Sequence, residues 1–502
     1  MTDSARPAGS GDMRQRVARG LAWTGASQVM LQLIRTGAAI FVARLLTPSE
    51  YGLAMLALVF SSLVLVFSDL ALGAALVQRK KLSDNDRNTA FWITVGAGVV
   101  FTLLGVALAG PVAGLYGQPS AEPLLAVLSL SFILTALGAT QQSLLLREMD
   151  FRRLELLTVG GTLAGAALAV GLAAAGTGPW AIIGQQIATA VVTSALMWRA
   201  SGWRPRWSFS LASLRDLGGF SAYLMGHRLL FYIHQNADRF IIGRFIGTAA
   251  LGTYAVAYNV MLAPAARIGG PLQRVMAPAF SRMQDEPARI AAAWARLTRL
   301  VGTIVLPALA GLVVVAPDFV PVVLGSQWEA AVPVIQILAW VGALQALQSV
   351  NVDILMARDR TSTIFRYSVV FSIAHIVAFI IGLQWGIIGV AVAYAISSTL
   401  VEPILTVLTA RAIGVSPLVF VRSLTGVAQA TAGMAAVVLV ARMAMIDAGV
   451  PQGARLLLAI VVGAVVFVPL CAWRVPEVRH EVRTVLSRFF PKPIPTPTPA
   501  ES

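Results

Sequence analysis

The chain has 502 residues, of which 57% are hydrophobic and only 12% charged, with a net charge of +15, and its mean hydropathy is +0.77. A soluble domain carries about 25% charged residues, so half that charge over this length excludes a water-soluble globule. Apolar runs of about 20 residues, enough to cross roughly 30 Å of hydrocarbon, recur from end to end, and their continuity excludes a β-barrel, whose strands alternate.

A polar segment, 1–19, comes first, and the apolar run behind it is too long for the core of a cleavable signal peptide. Fourteen spans are expected in chain order. The first six are 20–43, 50–76, 90–110, 122–143, 156–175 and 179–198, which make an N-lobe over 20–198. A polar linker, 199–217, leads to spans 218–242, 247–268, 298–316, 331–351, 364–383 and 386–409, a C-lobe over 218–410. Two extra spans, 424–446 and 455–473, occupy 411–473, and a tail, 474–502, ends in the proline-rich PKPIPTPTPAES. The expected fold class is an all-α polytopic membrane protein.

Arginine sets the expected orientation. Lys and Arg on the side of the N-terminus number 31, against 5 on the opposite side, namely Arg44, Arg239, Arg244, Arg442 and Arg455. Under the positive-inside rule both termini are cytoplasmic, which requires an even number of spans. In a soluble chain such a positive charge would suggest nucleic acid. Here topology and anionic lipid heads account for it, and no nucleic-acid partner is expected. The arginine and aromatic mixtures at RPRWSF (204–209) and around 289–299 are read as interfacial anchors.

Chemistry is not expected. The loops are too short to hold a catalytic domain, and no Walker A, GxSxG or HExxH sequence is present. The four histidines, His227, His234, His375 and His480, lack metal-cluster spacing, and the single cysteine, Cys471, excludes an internal disulfide. No metal or other cofactor is expected. Transport is the leading class, with a membrane glycosyltransferase or polymerase opposed by the short loops.

The short crossing RLLTPSEYG (44–52) recurs in outline as RFIGTAALG (244–252), offset by 200 residues. Each leaves one long apolar run and enters another, and both parent spans start on the same side. Matching position, topology and length point to a duplication of about six spans, as parallel repeats about an axis along the membrane normal. Two such bundles can rock between inward- and outward-open states.

The stretches FVARLLTPSEYGLAML (41–56) and FSDLALGAALVQRKKLSDNDRNTAFW (67–92) resemble the N-terminal signature of Wzx-type bacterial polysaccharide flippases. In the second half DRFIIGRFIGTAALGTYAVAYNVM (238–261), PAFSRMQDEP (278–287) and VPVIQILAWVGALQAL (332–347) agree, so the resemblance runs from about residue 14 to 470. It implies the multidrug/oligosaccharidyl-lipid/polysaccharide exporter superfamily, with twelve core spans in two lobes and two more at the end. It also implies a substrate, undecaprenyl-pyrophosphate-linked oligosaccharide, flipped from the cytoplasmic to the periplasmic leaflet of the bacterial inner membrane. Surface polysaccharide synthesis (exopolysaccharide, capsule or O-antigen) would be the pathway. Candidate partners beyond lipid are a polysaccharide polymerase and a chain-length regulator. Coupling to a Na+ or H+ gradient or to the membrane potential is left open, and a multidrug or cation antiporter of the same fold is the alternative.

A pyrophosphate head crossing hydrocarbon needs cations and hydrogen-bond donors, and an ionisable group inside a span costs roughly 2.5–3.5 kcal/mol, so each one needs a reason. In the first span Thr24, Gln28, Gln32 and Arg35 form one polar face. Arg35 lies 35 − 20 = 15 residues in, roughly 22 Å deep; the plainer alternative is an arginine reaching for the far interface. In the seventh span His227, His234 and Asp238 share one face, and Arg228, Gln235 and Arg239 the next. Arg35 and Arg228 suit phosphate through planar, charge-assisted forks, with Gln28, Gln32, Gln235 and Arg239 as further lining. The alternative for Arg228 is an ion pair with a carboxylate such as Glu402.

His227, His234, Asp238 and Glu402 are the coupling candidates, Glu402 sharing its face with Tyr394 and Ser398. Each membrane histidine also reads plainly as an interhelical hydrogen bond. Asp69 and Arg267, at similar depth in equivalent spans, are the candidate cytoplasmic gate; the alternative for Asp69 is a turn before Gly73. Tyr254 and Tyr258 read as helix packing or as sugar-stacking rings.

Overall fold

The structure, a computed structural model, describes residues 10–68, 76–77, 82–210, 222–283 and 286–477. Within its helices the side chains of 10–26, 63–68, 222–231, 233–234, 265–279 and 281 lie outside the described residues. The described chain is all-α, with fourteen long helices. They are α1 (Ser10–Leu45), α2 (Pro48–Ser68), α3 (Asp84–Leu115), α4 (Glu122–Arg147), α5 (Phe151–Ala174), α6 (Trp180–Ser201) and α7 (Ala222–Phe245). Then come α8 (Thr248–Arg282), α9 (Pro287–Phe319), α10 (Ala331–Ala357), α11 (Thr361–Gly382), α12 (Gly386–Ala412), α13 (Leu418–Asp447) and α14 (Gln452–Arg474). Ten stretches among the described residues are long and apolar enough to cross a membrane. Helix is the form such runs must take, because hydrocarbon offers the backbone no partner and only an intra-segment ladder satisfies every N–H and C=O.

The chain divides into two compact units, Met1–Ala255 with Val323–Gln327, and Val256–Val322 with Trp328–Ser502. In the first unit α1 packs on α5, α5 on α6, α6 on α4, α4 on α3, and α2 against both α4 and α7. Small residues carry these contacts: a Cβ at Gly161 of α5 would collide with Thr193 Oγ1 of α6 and stand 3.0 Å from its Cβ, the close approach that membrane helices use in place of a hydrophobic driving force. Helix α3 starts at a capping box, with Ser83 Oγ accepting from Asp86 N at 3.1 Å and Asp86 Oδ2 accepting from Ser83 N at 3.0 Å.

One end of this unit gathers the loops that the arginine count assigns to the side away from the N-terminus. Arg44 Nε donates to Val323 O at 2.9 Å, and Gln327 Nε2 donates to Ala43 O at 3.2 Å and Arg44 O at 2.9 Å. At the other end Arg147 Nη1 donates to Leu76 O at 2.8 Å. There the start of the linker folds back on α3: Asn88 bonds Ser208 Oγ at 2.8 Å and Arg206 N at 2.9 Å, and Trp92 Nε1 donates to Arg206 O at 3.0 Å. The Trp92 and Trp207 rings stack at 4.1 Å.

The repeated crossing has one geometry in both copies. Leu46 N donates to Val42 O at 3.0 Å and Ile246 N to Ile242 O at 2.9 Å; Tyr51 N donates to Thr47 O and Leu251 N to Gly247 O, both at 3.0 Å. The copies start their second helix differently. Thr47 and Glu50 form a reciprocal cap, with Thr47 N donating to Glu50 Oε2 at 2.9 Å and Glu50 N to Thr47 Oγ1 at 3.3 Å. The equivalent Gly247 takes φ +114°, a value that favours glycine.

In the second unit α9 packs on α10, α13 and α14, and α12 on α10 and α11, while α13 lies along α14. Trp294, Val305, Leu309 and Ile354 anchor its core. The last two helices are tied to α9 by Asp318, whose Oδ2 accepts from Arg442 Nε at 2.5 Å and whose Oδ1 accepts from Arg455 Nε at 2.8 Å.

Candidate functional site

The polar face of α1 is present, and its members have different surroundings. Gln28 is exposed and its Nε2 donates to Glu155 Oε2 of α5 at 3.5 Å. Gln32 is half-buried and bonds along its own helix, Nε2 to Thr36 Oγ1 at 3.2 Å. Arg35, one turn further, is exposed and makes no ion pair among the described residues.

On α7 the structure brings Asp238 and Arg239 together. Asp238 is 4% exposed and accepts from Arg239 N at 2.7 Å, with the Tyr254 hydroxyl within hydrogen-bonding reach. Arg239 Nη1 lies 3.5 Å from Asn236 Oδ1, so Arg239 is engaged locally. Gln235 is exposed. His227, Arg228 and His234 lie on α7 with side chains outside the described residues, as does the side chain of Arg267 on α8; Asp69 lies outside the described residues altogether. Tyr254 is buried at the start of α8, in a packing position.

The polar residues of the second unit form two layers. Glu402 of α12 is 2% exposed, and its Oε1 has no hydrogen-bond partner among the described residues. The residues on its face are engaged elsewhere: Ser398 Oγ lies 3.1 Å from His375 Nε2 of α11, and Tyr394 accepts from Gln345 Nε2 of α10 at 2.7 Å. His375 is itself fully buried, with Nδ1 2.6 Å from Phe371 O of its own helix, and its contact with Ser398 is the interhelical role expected of a membrane histidine. One turn away Trp294 Nε1 donates to Asn351 Oδ1 at 2.7 Å, Asn351 bonds Gln348, and Gln348 Nε2 donates to Thr406 Oγ1 at 3.0 Å. Every member of this second layer is satisfied, whereas Glu402 is not.

Several polar residues of the second unit escaped the sequence reading. Gln345, Gln348 and Asn351 recur at i, i+3 and i+6 within an apolar run, a stripe that periodicity alone could have flagged. Asp318 carried no local signal, because its partners are 124 and 137 residues away. Among the described residues no group of three or more His, Cys, Asp or Glu could hold a metal ion.

Residues 41–333 match the family described as "Polysaccharide biosynthesis protein". The chain is 30% identical over 389 residues to the lipopolysaccharide biosynthesis protein WzxC of Escherichia coli (strain K12), covering 76% of this chain and 78% of that protein. It is 27% identical to the teichuronic acid biosynthesis protein TuaB of Bacillus subtilis (strain 168), over 76% and 80%. It is 26% identical to the succinoglycan biosynthesis transport protein ExoT of Rhizobium meliloti (strain 1021), over 71% and 72%. Among solved structures, the lipid II flippase MurJ in an inward closed conformation superposes with a TM-score of 0.70 over 91% of this chain and 99% of that one, at 13% identity. An inward-facing multidrug resistance MATE transporter of the MOP superfamily gives 0.58 over 76% and 94%, at 16% identity. At these identities the two structures establish the fold. The chain is thus a multi-pass helical membrane protein with the fold of these transporters, and it belongs to the polysaccharide biosynthesis protein family, as its resemblance to Wzx-type flippases anticipated.

Proposed function

We propose that this protein flips undecaprenyl-pyrophosphate-linked oligosaccharide from the cytoplasmic to the periplasmic leaflet of the bacterial inner membrane during surface polysaccharide synthesis. Both termini are cytoplasmic in this reading, and the two repeats open alternately to either side. The observation that carries it is Arg35, an exposed guanidinium on the polar face of α1 that makes no ion pair among the described residues. A planar cation of this kind suits a pyrophosphate oxygen. Arg228 is its proposed counterpart, with Gln28, Gln32 and Gln235 as donors to the head.

Glu402 is the proposed coupling residue, since a buried carboxylate with one oxygen lacking a hydrogen-bond partner among the described residues suits a passing Na+ or H+. Asp238, already engaged by Arg239, is the weaker of the two acidic candidates, and His227 and His234 are auxiliary. Asp69 and Arg267 are the proposed pair closing the cytoplasmic mouth. Contact with a polysaccharide polymerase and a chain-length regulator belongs to the same proposal. Family membership favours this reading over the multidrug antiporter that the fold alone would permit.

The test is reconstitution of the full chain in vesicles with fluorescent lipid-linked oligosaccharide in both leaflets. Added reductant should bleach the whole label when the protein is present and about half without it. Equal protection in both vesicles would overturn the reading.

A further inference from the structure

Asp318, Arg442 and Arg455 occupy the same end of three helices. Asp318 lies in the last turn of α9, Arg442 near the end of α13 and Arg455 near the start of α14. The carboxylate is 1% exposed, while the two arginine side chains are 16% and 12% exposed. One buried negative charge is thus clamped by two cations whose outer edges reach the surface, leaving a net charge of +1 on the cluster. Arg455 uses both Nε and Nη2 on Asp318, whereas among the described residues Arg442 is engaged through Nε alone. The terminal nitrogens of Arg442 remain for a further acceptor.

A cleft of about 340 Å³ runs inward from this cluster between the same three helices. Val315 and Phe319 line it from α9, Val438 from α13, and Ala459 and Gly463 from α14. Each helix places its charged residue within a turn or so of a lining residue: Asp318 beside Phe319, Arg442 four after Val438, Arg455 four before Ala459. The lining is apolar, which suits an acyl chain. Its width comes from small residues, since a Cβ at Gly463 would meet only Val438 Cγ2 at 3.5 Å and Met434 Sδ at 3.8 Å.

We propose that the Asp318–Arg442–Arg455 cluster and the cleft beneath it form a binding site for a glycerophospholipid with an anionic headgroup. Its phosphate accepts from Arg442, and one acyl chain lies along α9 between α13 and α14. The cluster sits at a helix end, where headgroups lie, and the cleft continues toward the hydrocarbon, so one lipid satisfies both. A guanidinium with free terminal nitrogens selects the phosphate, and the uncompensated positive charge selects a net-negative lipid over a zwitterionic one. This site is separate from the transported substrate and does not rest on the flipping mechanism.

Native mass spectrometry of the detergent-purified full chain, titrated with phosphatidylglycerol and with phosphatidylethanolamine, tests the proposal. Phosphatidylglycerol should bind about tenfold more tightly, as one charge-assisted contact implies. Arg442→Gln should remove that preference, and because Asp318 keeps Arg455 as its partner the buried carboxylate stays neutralised. Gly463→Leu, which fills the cleft away from the charges, should lower uptake of both lipids without changing their ratio. Gly463→Ala, which the cleft accommodates, serves as the folding control. Equal binding of the two lipids by the unaltered chain, or an undiminished preference in Arg442→Gln, would sink the headgroup site. Unchanged uptake by Gly463→Leu would remove the cleft as the seat of the chain. Tighter capture of undecaprenyl phosphate than of phosphatidylglycerol would overturn the phospholipid assignment.

Discussion

Gly52 and Gly252 lie back to back, each against the backbone of the other copy of the repeated crossing. A Cβ added to Gly52 would collide with Thr248 O and stand 2.8 Å from Gly252 N; one added to Gly252 would collide with Pro48 O and stand 2.9 Å from Gly52 N. Pro48 and Thr248 are themselves offset by 200 residues, so the contact is reciprocal and the two crossings meet about a local twofold. Ser49 Oγ and Thr248 Oγ1, 3.0 Å apart, seal the same contact. The crossing recurs because each copy is the surface on which the other packs, and glycine is required because the neighbour is backbone, which cannot swing aside.

Gly52→Ala and Gly252→Ala should each destabilise the protein by about 1–3 kcal/mol, the usual range for overpacking a tight contact. Thermal unfolding in detergent measures this, with Gly37→Ala as control, since nothing lies within 4 Å of a Cβ there. Midpoints for the Gly52 and Gly252 variants equal to that of the control would show that the crossings can move apart.

Asn351→Ala should cost about 1–3 kcal/mol, because it leaves the fully buried Trp294 indole N–H without its acceptor, while Gln348 keeps Thr406. Asn351→Asp keeps the acceptor but buries a charge, and should be worse. The order of the two unfolding midpoints checks this, and an Asp variant as stable as the unaltered chain would contradict it.

Arg35→Ala and Arg228→Ala should abolish surface polysaccharide while the protein still reaches the membrane in normal amount. Lysine at either position should restore part of it, since the charge persists without the bidentate fork. Complementation of a deletion strain reads this directly. Full activity of both alanine variants would end the phosphate assignment.

Glu402→Gln removes the charge with little change of shape, so the fold should survive. Transport by the unaltered chain in proteoliposomes should fall when the coupling gradient is collapsed, whereas the Glu402→Gln variant should run slowly and at a rate indifferent to the gradient. A variant as gradient-dependent as its parent would leave Glu402 a structural residue.

Reporter fusions after Arg204 and Ser502 should report the cytoplasm, and fusions near Gly117 and Gly325 the periplasm. Gly117 and Gly325 both sit between helical segments at positive φ, +65° and +110°, where an insertion does not interrupt a helix. A periplasmic C-terminus would require an odd number of crossings and undo the repeat.

The sequence alone determined the helical class and the order of the long apolar helices, and it showed the repeated crossing as an offset of 200 residues. Each follows from neighbours along the chain: a run must be long enough to span and must satisfy its own backbone, and a repeat is visible as an offset. The polar face of α1, with Gln28, Gln32 and Arg35, was legible for the same reason, because a helix places residues three or four apart on one side. Tertiary structure alone decided which polar groups are satisfied. Ser398 shares a face with Glu402 yet bonds His375, leaving Glu402 with an unpartnered oxygen, and no spacing within α12 distinguishes the two. Asp318 finds Arg442 and Arg455 only after three helices assemble, and Gly52 finds Gly252 only when two distant turns meet. Periodicity reports which face a residue occupies, whereas the partner on the other side is set by how helices far apart in the chain approach one another.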